Sequence, residues 1–153
     1  MWSSYFRTGD VGHQDKNGDF YITDRIKELV KYKGFQVAPA ELEGLLLGHH
    51  DIDDVEVIGV YDKARAIEVP RAYIVPRRGV EATPETGTII IEWLSARVAA
   101  HKQLRGGVRF VDVVPKSAAG KNLRRILVNK AKQEAETIQS KLQKMASLRN
   151  GLL

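Results

Sequence analysis

The stretch Asp24-Arg25-Ile26-Lys27-Glu28-Leu29-Val30-Lys31-Tyr32-Lys33-Gly34-Phe35-Gln36-Val37-Ala38-Pro39-Ala40-Glu41-Leu42-Glu43 constrains this chain more than any other. Lys33-Gly34 marks a corner, because glycine takes up a left-handed backbone without steric cost. Four cations (Arg25, Lys27, Lys31 and Lys33) and two acids (Asp24 and Glu28) gather just before it. In an extended segment alternate residues share a face, so Lys27, Lys31 and Lys33 are expected to point together. Behind the corner a short apolar strand runs into Pro39, whose fixed φ suits the first position of a helix. Glu41 and Glu43 suit the positive end of that helix's dipole. Leu42, Leu45 and Leu46 recur at helical spacing and Gly48 provides a stop. The stretch reads as an anion-handling surface built on a turn, with Phe35, Val37 and Leu42 assigned to the core.

Size sets the frame for that surface. The chain has 153 residues, 43% of them hydrophobic and 28% charged, which suits one globular domain with a single core. No apolar run approaches the roughly 20 residues needed to cross a bilayer, and Met1-Trp2-Ser3-Ser4-Tyr5 has no signal-peptide pattern. There is no cysteine, which removes disulfides and thiolate nucleophiles. The histidines His13, His49, His50 and His101 form no spaced ligand set with nearby carboxylates, so no metal site is expected; His49-His50 is placed in a loop after the helix. The net charge of +5 is uneven, since residues 101–150 hold 12 Lys or Arg against 3 acids. Such asymmetry suits nucleic acid, a nucleotide, pyrophosphate or the phosphates of coenzyme A.

Along the chain, Val11 to Ile22 reads as a hairpin around Asp15-Lys16-Asn17-Gly18. Val55 to Tyr61 and Ala72 to Val75 read as strands separated by the charged Asp62–Arg71 connection, and Arg109 to Val114 as a last strand ending at Pro115. Gly79 to Gly87 reads as a loop. Thr88 to Ala100 has helical spacing through Ile89, Ile90, Trp93, Leu94 and Val98, with Trp93 expected to be buried. From Asn122 onward the chain reads as a helix whose stripe is Leu123, Ile126, Leu127, Ala131, Ala135, Ile138, Leu142 and Met145. The alternation predicts an α+β fold, a small central β-sheet flanked by helices and preceded by a β-hairpin.

Several polar positions carry more than one reading. Alone, Thr8-Gly9-Asp10 is a turn-forming motif, Arg25 a partner for Asp24 or Glu28 in a surface ion pair worth about 0 to 1 kcal/mol, and Lys31 with Gln36 a solvated face. Gly120-Lys121 is not a phosphate-binding P-loop, since the earlier glycine of that motif is absent. Taken together and in order, Arg7-Thr8-Gly9-Asp10, the Asp24–Glu43 stretch and Pro115-Lys116-Ser117-Ala118-Ala119-Gly120-Lys121 resemble the carboxy-terminal domain of the adenylate-forming enzymes. That superfamily contains acyl- and aryl-CoA synthetases, luciferases and peptide-synthetase adenylation domains. Lys31-Tyr32-Lys33-Gly34-Phe35-Gln36-Val37-Ala38-Pro39-Ala40-Glu41-Leu42-Glu43 is similar to the coumarate:CoA ligase branch. The sequence departs from the usual third motif at Ala118, Ala119 and Asn122 and keeps its lysine.

The resemblance implies a two-step reaction in which a carboxylic acid and ATP give acyl-AMP, and the CoA thiol then displaces AMP. It implies Lys121 as the adenylation lysine, with Lys31 and Gln36 beside the adenylate. Asp10, Arg25 and Lys27 would serve the nucleotide, the Lys33-Gly34 backbone would contact CoA, and Asp24 would be the hinge. The implied cofactors are ATP/AMP and CoA, with Mg2+ accompanying ATP and finding no ligand in this chain. The implied domain plan is residues 1–23 as the tail of a large amino-terminal domain, 24–134 as the mobile lid and 135–153 as a helical extension. The large domain would hold the acid pocket, so the lid alone is expected to be inactive. The rival readings are an adenylation domain serving a carrier protein, a luciferase-type enzyme, or a standalone basic module for nucleic acid; the resemblance implies no nucleic-acid partner. Gly151-Leu152-Leu153 is not the Ser-Lys-Leu peroxisomal address, which leaves the cytoplasm as the expected location.

Overall fold

A computed structural model of the chain describes residues 7–151, apart from the side chains of Thr23 and Asp24. The chain forms two compact units, Met1–Val114 and Pro115–Leu153. In the larger, β1 (Asp10–Gln14) and β2 (Phe20–Arg25) pair antiparallel, with an irregularity between Val11 and Gly12. Their turn is held by Asp15, whose Oδ1 accepts the N–H groups of Asn17 (2.8 Å) and Asp19 (3.0 Å). These bonds, that from Asp19 foremost, keep the Asp15 carboxyl below the usual carboxylate range.

Next come a 3-10 turn (Ile26–Glu28) and a second hairpin, β3 (Val30–Tyr32) with β4 (Phe35–Val37). The 3-10 turn breaks the alternation expected for Lys27, Lys31 and Lys33. Lys33 is itself a turn residue, so the three do not form one extended row. Val30, Tyr32 and Val37 are buried, but Phe35, expected in the core, is 52% exposed. It lies on the same face of the hairpin as Tyr32, but at the turn end its ring is met by His101 in a stack with centroids 4.3 Å apart.

Helix α1 (Pro39–Leu46) opens on proline and buries Leu42 and Leu46, as its spacing predicts. Its Glu43 has a role that the dipole argument missed: Oε1 accepts the Val57 N–H at 2.9 Å. Val57 lies in β5 (Ile52–Asp62), an edge strand of the sheet β5-β6-β7, and its N–H points away from β6. The helix thus covers an otherwise open amide edge.

Strand β6 (Ile67–Pro76) is antiparallel to β5, and β7 (Val108–Phe110) is parallel to β6. Most of the expected Asp62–Arg71 connection is therefore strand. Pro70 does not break it, because Ala72, two residues on, sends its N–H to the Gly107 carbonyl on the β7 side. The Pro70 nitrogen has the same parity and also points away from β5, so no β5–β6 bond is lost. β7 is shorter than expected, and Val113 beyond it is 71% exposed.

The crossover from β6 to β7 contains α2 (Pro84–Ser95), which begins four residues before the expected Thr88. The cause is local: Thr83 Oγ1 accepts the Thr86 N–H (3.2 Å), and Pro84 then fits the first turn. Ile90 and Leu94 are fully buried, whereas Trp93 is half-buried, with the Arg97 guanidinium 3.9 Å above its ring. These side chains join Val30, Val37, Leu42, Leu46, Val57 and Ile74 in one hydrophobic core.

After α1 the chain turns through Gly48 into His49, which is buried as its Nδ1 accepts the Asp51 N–H (3.1 Å). Burial first, then His50 and Arg97, lower its pKa from 6.5, against an opposing pull from Asp51. In the smaller unit, Pro115–Leu153, a bridge pairs Lys116 with Asn122 and leads into α3 (Arg124–Asn150). Leu127 and Ala131 are buried; Ile126, Ile138, Leu142 and Met145 of the predicted stripe are exposed.

Two outcomes follow for stability. Leu94→Ala removes a fully buried side chain and is expected to cost about 2–5 kcal/mol in denaturant unfolding, whereas the exposed Leu142→Ala stays within about 0.5 kcal/mol of the parent. Because His49 takes a proton less readily folded than unfolded, stability is retained above pH 6.5 and declines as pH falls below it. Unfolding free energies measured between pH 7 and pH 5.5 should show this decline, and His49→Asn, which keeps an acceptor but cannot titrate, should flatten it.

Candidate functional site

The first cluster is assembled by strand register. Asp10 and Arg25, which sequence reasoning considered one at a time, are direct cross-strand partners in β1 and β2. Arg25 Nε lies 3.7 Å from Asp10 Oδ1, a partner that neither residue announces in the sequence. Gly9 has a left-handed φ of +78°, and its carbonyl accepts the Ile26 N–H at 2.8 Å, closing the strand pair just beyond the ion pair. The backbone of Asp24 pairs with Val11 in β2, while its side chain lies outside the described residues. Lys27 sits exposed on the 3-10 turn that follows.

The second cluster is the β3–β4 hairpin. Lys33 (φ +46°) and Gly34 (φ +83°) form its two-residue connection, and left-handed backbone at both positions is what matches a tight turn to the twist of its strands. Nothing lies within 4 Å of where a Gly34 side chain would start, so the space over this backbone is open. Lys31 and Gln36 are cross-strand neighbours, both exposed, on the face opposite Val30, Tyr32 and Val37. Around the turn, cations approach the Tyr32 ring from two elements, Lys33 Nζ at 5.6 Å and the Arg105 guanidinium at 5.3 Å. Lys102 Nζ also meets both carboxylate oxygens of Glu41, at 2.7 and 2.9 Å. Sequence reasoning missed His101, Lys102 and Arg105 here. Their clustering in the basic carboxy-terminal third was the available signal.

Lys121 belongs to the smaller unit and is considered by itself. The Ser117 N–H donates to the Lys121 carbonyl (2.8 Å), the Gly120 N–H to the Ser117 carbonyl (2.8 Å), and the Lys121 N–H to Ser117 Oγ (3.2 Å). With Gly120 at φ +77°, these bonds close a tight loop that presents an exposed Lys121 side chain. Ser117 rather than Ala118 or Ala119 does the closing, which explains how the loop accommodates the two alanines.

The histidines, expected to form no ligand set with nearby carboxylates, include one close group: the ligand-capable atoms of His49, His50 and Asp51 lie within 4.8 Å of one another. The two imidazoles are stacked 16° from parallel, and His49 Nδ1 already accepts a backbone N–H. His49 Nδ1 lies 4.0 Å from Asp51 Oδ2 and His50 Nε2 lies 3.3 Å from Asp51 Oδ1, so this carboxylate stands beside both rings. No helix among the described residues is long and apolar enough to cross a membrane.

Comparison with known proteins agrees with this architecture. The family model of the AMP-binding enzyme C-terminal domain matches residues 41–121. A putative acyl-coenzyme A synthetase of Emericella nidulans is 47% identical over 86% of this chain, and the match covers 23% of that protein. A 4-coumarate--CoA ligase-like protein of Oryza sativa subsp. japonica is 51% identical over 80% of the chain and is covered over 21% of its own length. Among solved structures, the anthranilate CoA ligase AuaEII in complex with anthranoyl-AMP superposes with a TM-score of 0.75 at 29% identity, over 84% of this chain and 25% of that one. The chain thus spans about a quarter of the proteins it resembles. With a family match across more than half of its residues and the α+β architecture of those structures, this chain belongs to the family of carboxy-terminal domains of AMP-binding, adenylate-forming enzymes.

Proposed function

We propose that this chain is the mobile carboxy-terminal lid of an acyl- or aryl-CoA ligase, inactive without its large amino-terminal domain. The observation that carries the reading is the presence of two exposed lysine-glycine turns in one chain, Lys33-Gly34 on the β3–β4 hairpin and Gly120-Lys121 on the loop before α3. Each serves one half of a two-step reaction.

In the first step a carboxylate attacks the α-phosphorus of ATP as the bond from that phosphorus to pyrophosphate breaks, and negative charge builds between two groups already anionic. Lys121 supplies a positioned cation to that charge, a contribution that grows as the transition state forms. Asp10 accepts hydrogen bonds from ribose hydroxyls. Arg25, already held beside Asp10, offers its planar fork to the same ribose, and Lys27 adds charge nearby. The Asp10–Arg25 pair aligns both groups before the nucleotide arrives. Mg2+ accompanies the ATP phosphates without a ligand from this chain.

In the second step the lid turns about Asp24 and brings the hairpin to the adenylate. Lys31 and Gln36, side by side on the outward face, balance and orient the acyl-AMP. The open backbone at Lys33-Gly34 gives the pantetheine arm of CoA a surface without side-chain obstruction. The carboxylic acid itself is chosen in the large domain, the partner to which both faces are presented. Residues 1–23 would be the tail of that domain, 24–134 the lid, and 135–153 a helical extension that takes in the later turns of α3.

The test is made on the whole ligase, with the two half-reactions measured separately. Lys121→Ala is expected to slow pyrophosphate release from acid and ATP by about 10²- to 10³-fold, while leaving CoA transfer from supplied acyl-AMP near the parent rate. Gly34→Asn, which tolerates the left-handed backbone but fills the open space, is expected to do the reverse. Acyl-CoA formation by the isolated chain would overturn the reading. Transfer to a phosphopantetheinyl carrier with none to free CoA would replace it with a carrier-serving adenylation domain.

A further inference from the structure

We infer that Glu68 is a positioning residue for the thioester-forming face: its carboxylate fixes the hairpin that carries Lys31, Lys33-Gly34 and Gln36. The inference rests on the ligase reading for its consequence and on separate geometry for its existence.

The geometry begins with hairpin parity. In an antiparallel pair closed by a two-residue turn, the residues flanking the turn are hydrogen-bonded to each other and the next pair is not. Tyr32 and Phe35 flank the turn, so Lys31 and Gln36 turn their amides outward. An outward N–H on a three-residue strand needs a partner, since a short two-stranded ribbon is marginal by itself. Glu68 Oε2 provides one, accepting the Lys31 N–H at 3.0 Å across 37 residues of sequence. Charged acceptors make the stronger hydrogen bonds, so this contact weighs more than an ordinary ladder bond.

Glu68 reaches Lys31 from β6 by lying across Gly59 of β5. Its own cross-strand partner is Tyr61, and a methyl group built on Gly59 would overlap the Glu68 carboxylate. The obstruction falls on the far end of a flexible side chain, not on backbone, so a larger residue at 59 can be accommodated by moving the carboxylate aside. That movement would leave the sheet intact and release Lys31. Gly59 and Glu68 therefore act as one device, and the hairpin's seat is set by the longest strand pair among the described residues.

The consequence is selective. Lys121 stands in the other compact unit, on a loop closed by its own hydrogen bonds. Losing the Glu68 contact should therefore disturb the CoA step and spare adenylation. Amide hydrogen exchange at Lys31 in this chain should quicken about tenfold or more in Glu68→Ala and Gly59→Ala, and stay near the parent in Glu68→Gln, whose amide oxygen can still accept. In the whole ligase, the same two alanine variants should raise the KM for CoA or slow acyl transfer about tenfold, change pyrophosphate release less than twofold, and be rescued in Glu68→Gln. The double variant should be no worse than either single one, because both remove the same contact.

Unchanged Lys31 exchange in Glu68→Ala would overturn the inference whatever the enzyme does. Quickened exchange with both half-reactions slowed equally would also overturn it, marking Glu68 as a general structural residue. If Glu68→Ala fails to fold, Gly59→Ala and Glu68→Gln carry the same comparison. Failure of the ligase reading is seen separately, as loss of the Lys121→Ala and Gly34→Asn contrast while the Lys31 exchange result stands.

Discussion

The larger unit depends on one long antiparallel contact, the pairing of β5 with β6 from Ile52/Pro76 to Asp62/Ile67. Each face and edge of this ribbon has an assigned use. Val55, Val57, Val69, Ala72 and Ile74 bury their side chains in the common core with those of α1 and α2. The free edge of β5 sends the Val57 N–H to Glu43 of α1, and β6 passes its other edge to β7. Near the turn that joins the two strands, Glu68 crosses Gly59 to hold Lys31. Hydrophobic burial supplies the driving force, but carboxylate-to-amide bonds decide where α1 and the β3–β4 hairpin sit. Such bonds have direction, and burial does not.

Local chemistry in the sequence was a good guide wherever the structure is itself local. The Lys33-Gly34 corner is a turn because two left-handed residues are needed there, and Pro39 to Leu46 is a helix whose Leu42 and Leu46 face inward. The family's fold, with its small sheet, flanking helices and leading hairpin, was legible through three motifs in order. What escaped was decided at a distance. Phe35 has the composition of a core residue, but its exposure depends on what covers the turn end of the hairpin. Pro70 resembles a break until the parity of β6 is known. The start of α2 is the exception, because Thr83 and Pro84 signal it locally inside a stretch that otherwise reads as a loop.

The candidate site divides the same way. Lys31, Lys33, Gly34, Gln36 and Lys121 were recognisable from short motifs, and each lies exposed on a turn or strand. That Asp10 faces Arg25 could not be read from either residue, because it follows from the register of two strands. The pair is loosely held, with an N···O distance of 3.7 Å and much of the Arg25 side chain in water. An ion pair of that kind contributes little to stability, about 0–1 kcal/mol. His101 and Arg105 beside the hairpin, and Lys102 on Glu41 of α1, come from the segment after α2, which no motif announces.

The long helix α3 has a further consequence. Over its second half the described residues are exposed on every side, including Ile138, Leu142, Met145 and Leu148. A segment that buries nothing draws no cooperativity from a core, and its helicity rests on the intrinsic preferences of its many Lys, Gln, Glu, Ala and Leu residues. Heating such a chain produces two optical signals with different shapes. The sheet and its helices give a sigmoid, while the tail of α3 unwinds turn by turn and tilts the baseline before that sigmoid begins. A melting curve fitted as a single two-state transition would assign this slope to the folded domain and understate its enthalpy.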